Sequence, residues 1–331
     1  MSHGTNKVRT ISAEGIARVE GEGSLRVRVR DGHVEDVALD IFEPPRYFEA
    51  LLVGRHFSEA PDITARICGI CPVAYQMSAC LAMEDACGVV VDDRVTALRR
   101  LLYCGEWIQS HALHVYLLHA PDFLGCADAV ELAELDPLSV TRGLDLKRTG
   151  NLVMQTVGGR AVHPVNVRVG GFYRSPSPTS IQALAEPLRR ARDQAWETVA
   201  WVAGFEFPDV TSEYRFVALD QIDRYAIDGG SVSSDGLALS AAQFAEIAVE
   251  EHVARSTALQ STLGGRHPYL TGPLARWALN SGRLPDVARE AAAAAGLAAP
   301  CVNPFQSIVV RAVELVFACD EALRLVEGYE P

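Results

Sequence analysis

The chain has 331 residues, 49% of them hydrophobic, enough to bury a substantial core in one large domain or two to three closely packed ones. Its formal net charge of -12 supplies no cluster of Lys and Arg to follow a phosphate backbone, which excludes nucleic-acid binding. Met1 to Arg9 contain no apolar leader core and no stretch approaches the roughly 18–20 apolar residues of a membrane span, so a soluble, unexported chain is expected, with no membrane contact. Eight cysteines at irregular spacing do not make a disulfide scaffold in a chain this long, and reduced thiols or metal ligation are expected instead.

In chain order, Leu25-Arg26-Val27-Arg28-Val29 alternates, Asp31-Gly32 is a hairpin turn and Val34 to Ile41 is again extended, so an antiparallel hairpin opens the fold. Phe48, Leu51 and Leu52 predict a short helix before Pro61. Ala74 to Ala86, ending at Gly88, and Arg94 to His119, ending before Pro121, read as core helices. Leu144 to Val157 follows, broken by Gly158-Gly159, and Thr179 to about Ala203 is a fourth. Tyr214 to Leu219 and Tyr225 to Ile227 read as strands, with turns at Gly229-Gly230 and Asp235-Gly236. Ser240 heads a helix over Ala241 to Val253, Pro273 starts another, and Gln306 to Glu327 is long and amphipathic. The class is therefore α+β and helix-dominated: an N-terminal β-hairpin region over 1–60, a helical core over 61–204, a small mixed α/β module over 205–240 and a C-terminal helical part over 241–331.

Cys68-Gly69-Ile70-Cys71 has the spacing that lets two thiolates converge on one metal. The same pattern fits ordinary thiols, or a thioredoxin-like dithiol if a buried strand precedes it; Ser58-Glu59-Ala60-Pro61-Asp62 stands there instead. His111 and His114, at i and i+3, are more often packed core residues than half of a metal site. The remaining cysteines fall in apolar stretches and behave as small hydrophobes. The Gly-Gly pairs at 158, 170 and 229 lack a phosphate-binding fingerprint, so no nucleotide is expected on this chain.

The run Arg66-Ile67-Cys68-Gly69-Ile70-Cys71-Pro72-Val73-Ala74 resembles the N-terminal metal signature of nickel–iron hydrogenase large subunits. Arg18-Val19-Glu20-Gly21-Glu22-Gly23, Arg46 to Arg55, Ser110-His111-Ala112-Leu113-His114, Gly158 to Pro164 and Thr271 to Arg276 are similar to further blocks of that family, so the resemblance spans nearly the whole chain. Its flavour is that of the cytoplasmic, NAD(P)-linked bidirectional group.

The resemblance implies reversible H2 oxidation and proton reduction at a nickel–iron centre whose iron carries cyanide and carbon monoxide, with Cys68 a terminal nickel ligand and Cys71 bridging nickel and iron. It implies that Glu20 passes protons, that Glu49 ligates magnesium, that His111 supports the site indirectly, and that Arg66 and His163 lie near the proximal iron–sulfur cluster of a small subunit. Implied partners are that small subunit, NAD(P)-reducing electron-transfer subunits and maturation proteins. Two rivals stand beside this reading: a non-catalytic subunit on the same scaffold, as in complex I, which lacks the metal cysteines, and a dithiol redox protein.

The sequence departs from the family in two places. Tyr75 stands where many relatives have histidine, which we read as a subgroup mark. The second Cys-x-x-Cys and its nearby histidine are missing, and Cys301 and Cys319, eighteen residues apart, do not replace them. Half a ligand set implies that this chain alone is inactive. Of a truncation, a split gene and a degenerate scaffold, the intact first motif favours truncation.

Overall fold

The computed structural model describes residues 7–234 and 236–330. The chain divides into two compact units, one joining the N-terminal residues through Tyr47 to Ala241–Tyr269, the other formed by Phe48–Ser240 and the residues from Leu270 onward. Among the described residues, no helix is long and apolar enough to cross a membrane.

The first unit is built on strands Val8–Glu14, Glu22–Arg30 and His33–Phe42, paired antiparallel in that order. The predicted hairpin is its second half, and Asp31 (φ 48°) with Gly32 (φ 85°) supplies the two left-handed residues of a tight turn matching the strand twist. Alternation puts Leu25, Val27 and Val29 on one face, while Arg28 and Arg30 reach Glu35 at 2.9 Å on the other. Val8–Glu14, which the sequence reading did not anticipate, adds a third strand. The segment Arg255–Thr257 ties onto the end of the sheet, the Thr257 amide donating to the Ile41 carbonyl at 2.9 Å.

The helix expected over Ala241 to Val253 stops at Ile247: Ala248–Glu251 pairs with Gln260–Leu263, Val249 facing Thr262. Pairing to a strand ten residues on overrides a helical preference that is weak around β-branched Val249.

The second unit holds the seven helices of eight or more residues found among the described residues: α1 Pro72–Cys87, α2 Asp93–Leu113, α3 Pro137–Gly158, α4 Ala185–Ala203, α5 Pro273–Asn280, α6 Asp286–Ala294 and α7 Ser307–Glu327. The α+β, helix-dominated class is as expected. Start signals act as the physics of helix ends requires: Asp92 accepts from the Val95 amide at 2.8 Å to begin α2, and Asp136, followed by Pro137, caps α3 through the Ser139 amide at 3.1 Å. That cap starts α3 seven residues before the predicted Leu144.

Helix α7 packs against α2 and α4 and is buried nearly all round, from Ile308 through Val326. Each large aliphatic side chain so buried contributes about 1.5–3 kcal/mol relative to exposure. The contact of α2 with α3 is made at Gly105 and Gly150; a Cβ at Gly150 would stand 2.5 Å from the Gln109 nitrogen and 2.6 Å from the Gly105 oxygen. Only glycine lets the two backbones come this close. Beyond α2 the helix continues as a π-turn over His114–His119, so the predicted helix to His119 is continuous but changes its hydrogen-bond step.

Where strands were expected, Val217–Asp220, Ser231–Ser234 and Leu237–Leu239 form a three-stranded sheet. Tyr225 to Ile227 is buried loop instead of strand, because the Tyr225 carbonyl is taken by Arg100 at 3.0 Å. Of the expected Asp235-Gly236 turn, Asp235 lies outside the described residues.

Candidate metal centre

Two short helical turns, Ala60–Thr64 and Ala65–Ile67, deliver the chain to Cys68, which is extended (φ −139°, ψ 134°). Helical turns, not a strand, lead directly into the cysteines, so the context a thioredoxin-like dithiol requires is missing. After Gly69 and Ile70 comes Cys71, and Pro72 then opens α1 with a ring that needs no amide partner at a helix's first position. The turn does not depend on glycine: Gly69 has no left-handed φ, and a Cβ there would meet nothing within 4 Å.

Both cysteines are half-buried, and the Cys71 amide donates to Cys68 Sγ at 3.1 Å. That bond fixes the direction in which the Cys68 sulfur points. The donor set therefore fits two corners of a soft-metal site. Among the described residues, no cluster of three or more His, Cys, Asp or Glu side chains stands ready to hold a metal ion.

The loop is held from α2. Glu106, 3% exposed, accepts from the Val73 amide at 2.6 Å and the Ala74 amide at 3.3 Å, and burial pushes its pKa up to about 8 against the pull of those bonds. One turn on, Gln109 Nε2 donates to the Ile70 carbonyl at 2.6 Å, and Lys147 from α3 donates to Gln109 Oε1 at 3.0 Å.

Arg66 and His163, ninety-seven residues apart, meet: Arg66 Nη1 lies 3.2 Å from His163 Nδ1. Since guanidinium only donates, Nδ1 is the accepting nitrogen and the ring is neutral. Burial and then Arg66 lower the His163 pKa, against the Cys68 backbone, which favours the charged ring. Arg160 Nε fixes the His163 carbonyl at 2.6 Å, where His163 turns through a left-handed φ of 49°. The predicted pair thus stands beside Cys68.

Two further predicted residues are exposed. Glu49 is exposed in the first turn of helix Phe48–Leu52. Glu20 is exposed in the turn between Arg18 (φ 65°) and Gly21 (φ 78°), in the unit that does not contain the cysteines.

His111 belongs to a buried network that sequence reasoning missed. Its Nε2 lies 2.8 Å from Glu314 Oε2, and its ring stacks on Trp107 at 5.1 Å. Glu314, wholly buried, also accepts two bonds from Arg276 at 2.6 and 2.8 Å and one from Tyr225 at 2.8 Å. Burial raises the Glu314 pKa, but Arg276 and then His111 overcome it and hold the carboxylate well below its usual range. The signal was a lone glutamate inside the otherwise apolar run Ala312–Cys319.

In the π-turn, His114 Nε2 and His119 Nε2 are 3.2 Å apart, and burial, with Arg311 and His119 adding, pushes the His114 pKa down to about 3. A histidine kept neutral in the folded state gives stability that is lost as pH falls from its free value of 6.5 towards that lowered value, because only the unfolded chain takes the proton. Urea unfolding between those limits should show His114→Gln gaining on the wild type by at most about 1.4 kcal/mol per pH unit. Parallel pH profiles would show that His114 titrates normally.

The family model for nickel-dependent hydrogenase matches residues 46–142. The chain is 33% identical over 320 residues to sulfhydrogenase 1 subunit alpha of Pyrococcus furiosus, covering 96% of this chain and 74% of that one. Sulfhydrogenase 2 subunit alpha of the same organism is 36% identical over 224 residues, 67% of this chain and 54% of that protein. In fold, it is similar to an NAD+-reducing [NiFe]-hydrogenase in the H2-reduced state, with a TM-score of 0.83 at 24% identity over 97% of this chain and 78% of the other. An Ni-Fe-Se hydrogenase from D. vulgaris Hildenborough gives 0.74 at 21% identity, over 98% and 80%.

Proposed function

Because this chain belongs to the nickel-dependent hydrogenase family, as one of its large subunits, we propose that it forms the catalytic part of a heteromeric enzyme that oxidises H2 and reduces protons. The observation that carries the proposal is the Cys68–Cys71 loop, with two half-buried sulfurs, a backbone N–H on one of them and the Arg66–His163 pair beside it.

Cys68 and Cys71 would hold the nickel–iron centre, soft sulfur suiting both metals. When bound, the nickel–iron centre with its cyanide and carbon monoxide supplies heterolytic cleavage of H2. Glu20 would hold the proton at its carboxylate and pass it outward, and Glu49 would offer a hard carboxylate oxygen to magnesium. Arg66 and His163 would tune the surroundings of Cys68 next to a small subunit's iron–sulfur cluster.

Cys301 and Cys319 are each buried, and among the described residues neither joins Cys68 and Cys71 in a cluster of metal-binding side chains. The chain spans 54–74% of the two Pyrococcus relatives. Electrons would pass through the small subunit to NAD(P)-reducing subunits in the cytoplasm; the sequence resemblance supports that acceptor.

The test is H2-dependent reduction of a viologen dye and of NAD+ or NADP+ by the native gene product, coexpressed with its small subunit, reductase subunits and maturation proteins. We expect turnover with the dye and one of the nucleotides. A matured complex without dye reduction would overturn the hydrogenase reading, and dye reduction without nucleotide reduction would overturn the NAD(P) link.

A further inference from the structure

Cys71 occupies the residue before α1, a position where Ser, Thr, Asp or Asn normally caps the first free amides, yet its own side chain makes no cap bond. The capping is done from another helix: Glu106 of α2 takes the Val73 and Ala74 amides. The same face of α2, three residues on, holds the middle of the loop through Gln109 and the Ile70 carbonyl. Gln109 is oriented by Lys147 of α3, and α2 is fixed against α3 by the backbone contact at Gly105 and Gly150. A helix start needing only a cap requires none of the second attachment.

We propose that Glu106 and Gln109 are positioning residues for the metal-binding loop: by capping α1 and anchoring Ile70 from outside, they relieve Cys71 of capping and turn its sulfur, with that of Cys68, towards one metal ion. This rests on the reading of Cys68 and Cys71 as thiolate ligands. Glu106 and Gln109 touch no metal in this scheme; they act through the backbone on either side of Cys71.

The probe is Ni2+ alone, titrated anaerobically into the reduced chain and followed by the near-ultraviolet thiolate-to-nickel charge-transfer band, with a Cys68→Ser/Cys71→Ser double variant as baseline. Glu106→Ala should weaken binding by about ten- to a hundredfold, the range for residues that orient metal ligands. Glu106→Gln, which keeps an oxygen for the Val73 amide, should bind close to wild type. Thr198→Ala, which breaks the distant Tyr116–Thr198 bond of 2.6 Å, should lose stability without losing affinity.

Unchanged nickel affinity in Glu106→Ala, with the band still dependent on the cysteines, would overturn the positioning role and leave the ligand reading intact. A band that persists in the double serine variant would overturn both. If Glu106→Ala does not fold, Gln109→Ala decides on the same readout: weaker binding supports the proposal and unchanged binding overturns it.

Discussion

Arg276→Ala is expected to destabilise the protein by about 3–5 kcal/mol, the cost of leaving one member of a buried ion pair without its partner. Glu314 is wholly inside the core of α7, and Arg276 supplies two of its four hydrogen bonds and the ion pair that holds it. His111 and Tyr225 remain, but neither carries a permanent positive charge. The pH dependence has a definite sign. A carboxylate whose folded pKa is depressed contributes stability above its free value of 4.5, and that contribution is lost as pH falls below it. Without Arg276 the depression shrinks, so the variant should lose less on acidification than the wild type. Replacing both partners, Arg276→Met with Glu314→Leu, should cost less than the two single changes added together, because the singles each strand a buried polar group. Urea unfolding at neutral and acid pH measures all three effects. A loss below 1 kcal/mol in Arg276→Ala would show that the buried pair does not hold this end of the core together.

Cys68→Ser and Cys71→Ser, each alone, are expected to abolish nickel retention in the matured enzyme and reduce H2 turnover by more than about a hundredfold, since even residues that only orient ligands reach that range. Serine presents a hard, protonated oxygen where a soft thiolate is required. Folding should be nearly untouched: both side chains are half-buried, and the bond lost with Cys68 Sγ is a single N–H contact of about 1 kcal/mol. Cys319→Ser is the contrast. Cys319 lies inside α7, burial pushes its thiol pKa far up, and a hydroxyl there enters an apolar core. That variant should lose stability and keep its nickel. Metal analysis beside thermal unfolding separates the classes, and a Cys71→Ser enzyme that retained stoichiometric nickel would remove Cys71 from the ligand set.

What could be read from sequence was local. The Asp31-Gly32 turn, Gly88 after α1, Pro273 at the start of α5 and the metal motif itself are short-range signals with short-range causes. The misreadings arose where distant partners decide. Ala248–Glu251 became a strand because Gln260–Leu263 lies beside it, and Tyr225 to Ile227 lost its strand character to Arg100. The site divides the same way. Cys68 and Cys71 announce themselves by spacing, whereas Glu106 reaches the loop across thirty-three residues and Glu314 reaches His111 across two hundred and three. Such buried carboxyls look like ordinary helix-surface charges until the helices are packed. Glu314 left one trace, an acidic residue between Val313 and Leu315 on a face with no room for solvent.

The central claim is that Cys68 and Cys71 ligate nickel in a hydrogenase large subunit, and X-ray absorption at the nickel edge of the matured native enzyme tests it most directly. A first coordination shell dominated by sulfur is the predicted result. A shell made of nitrogen and oxygen alone would contradict it.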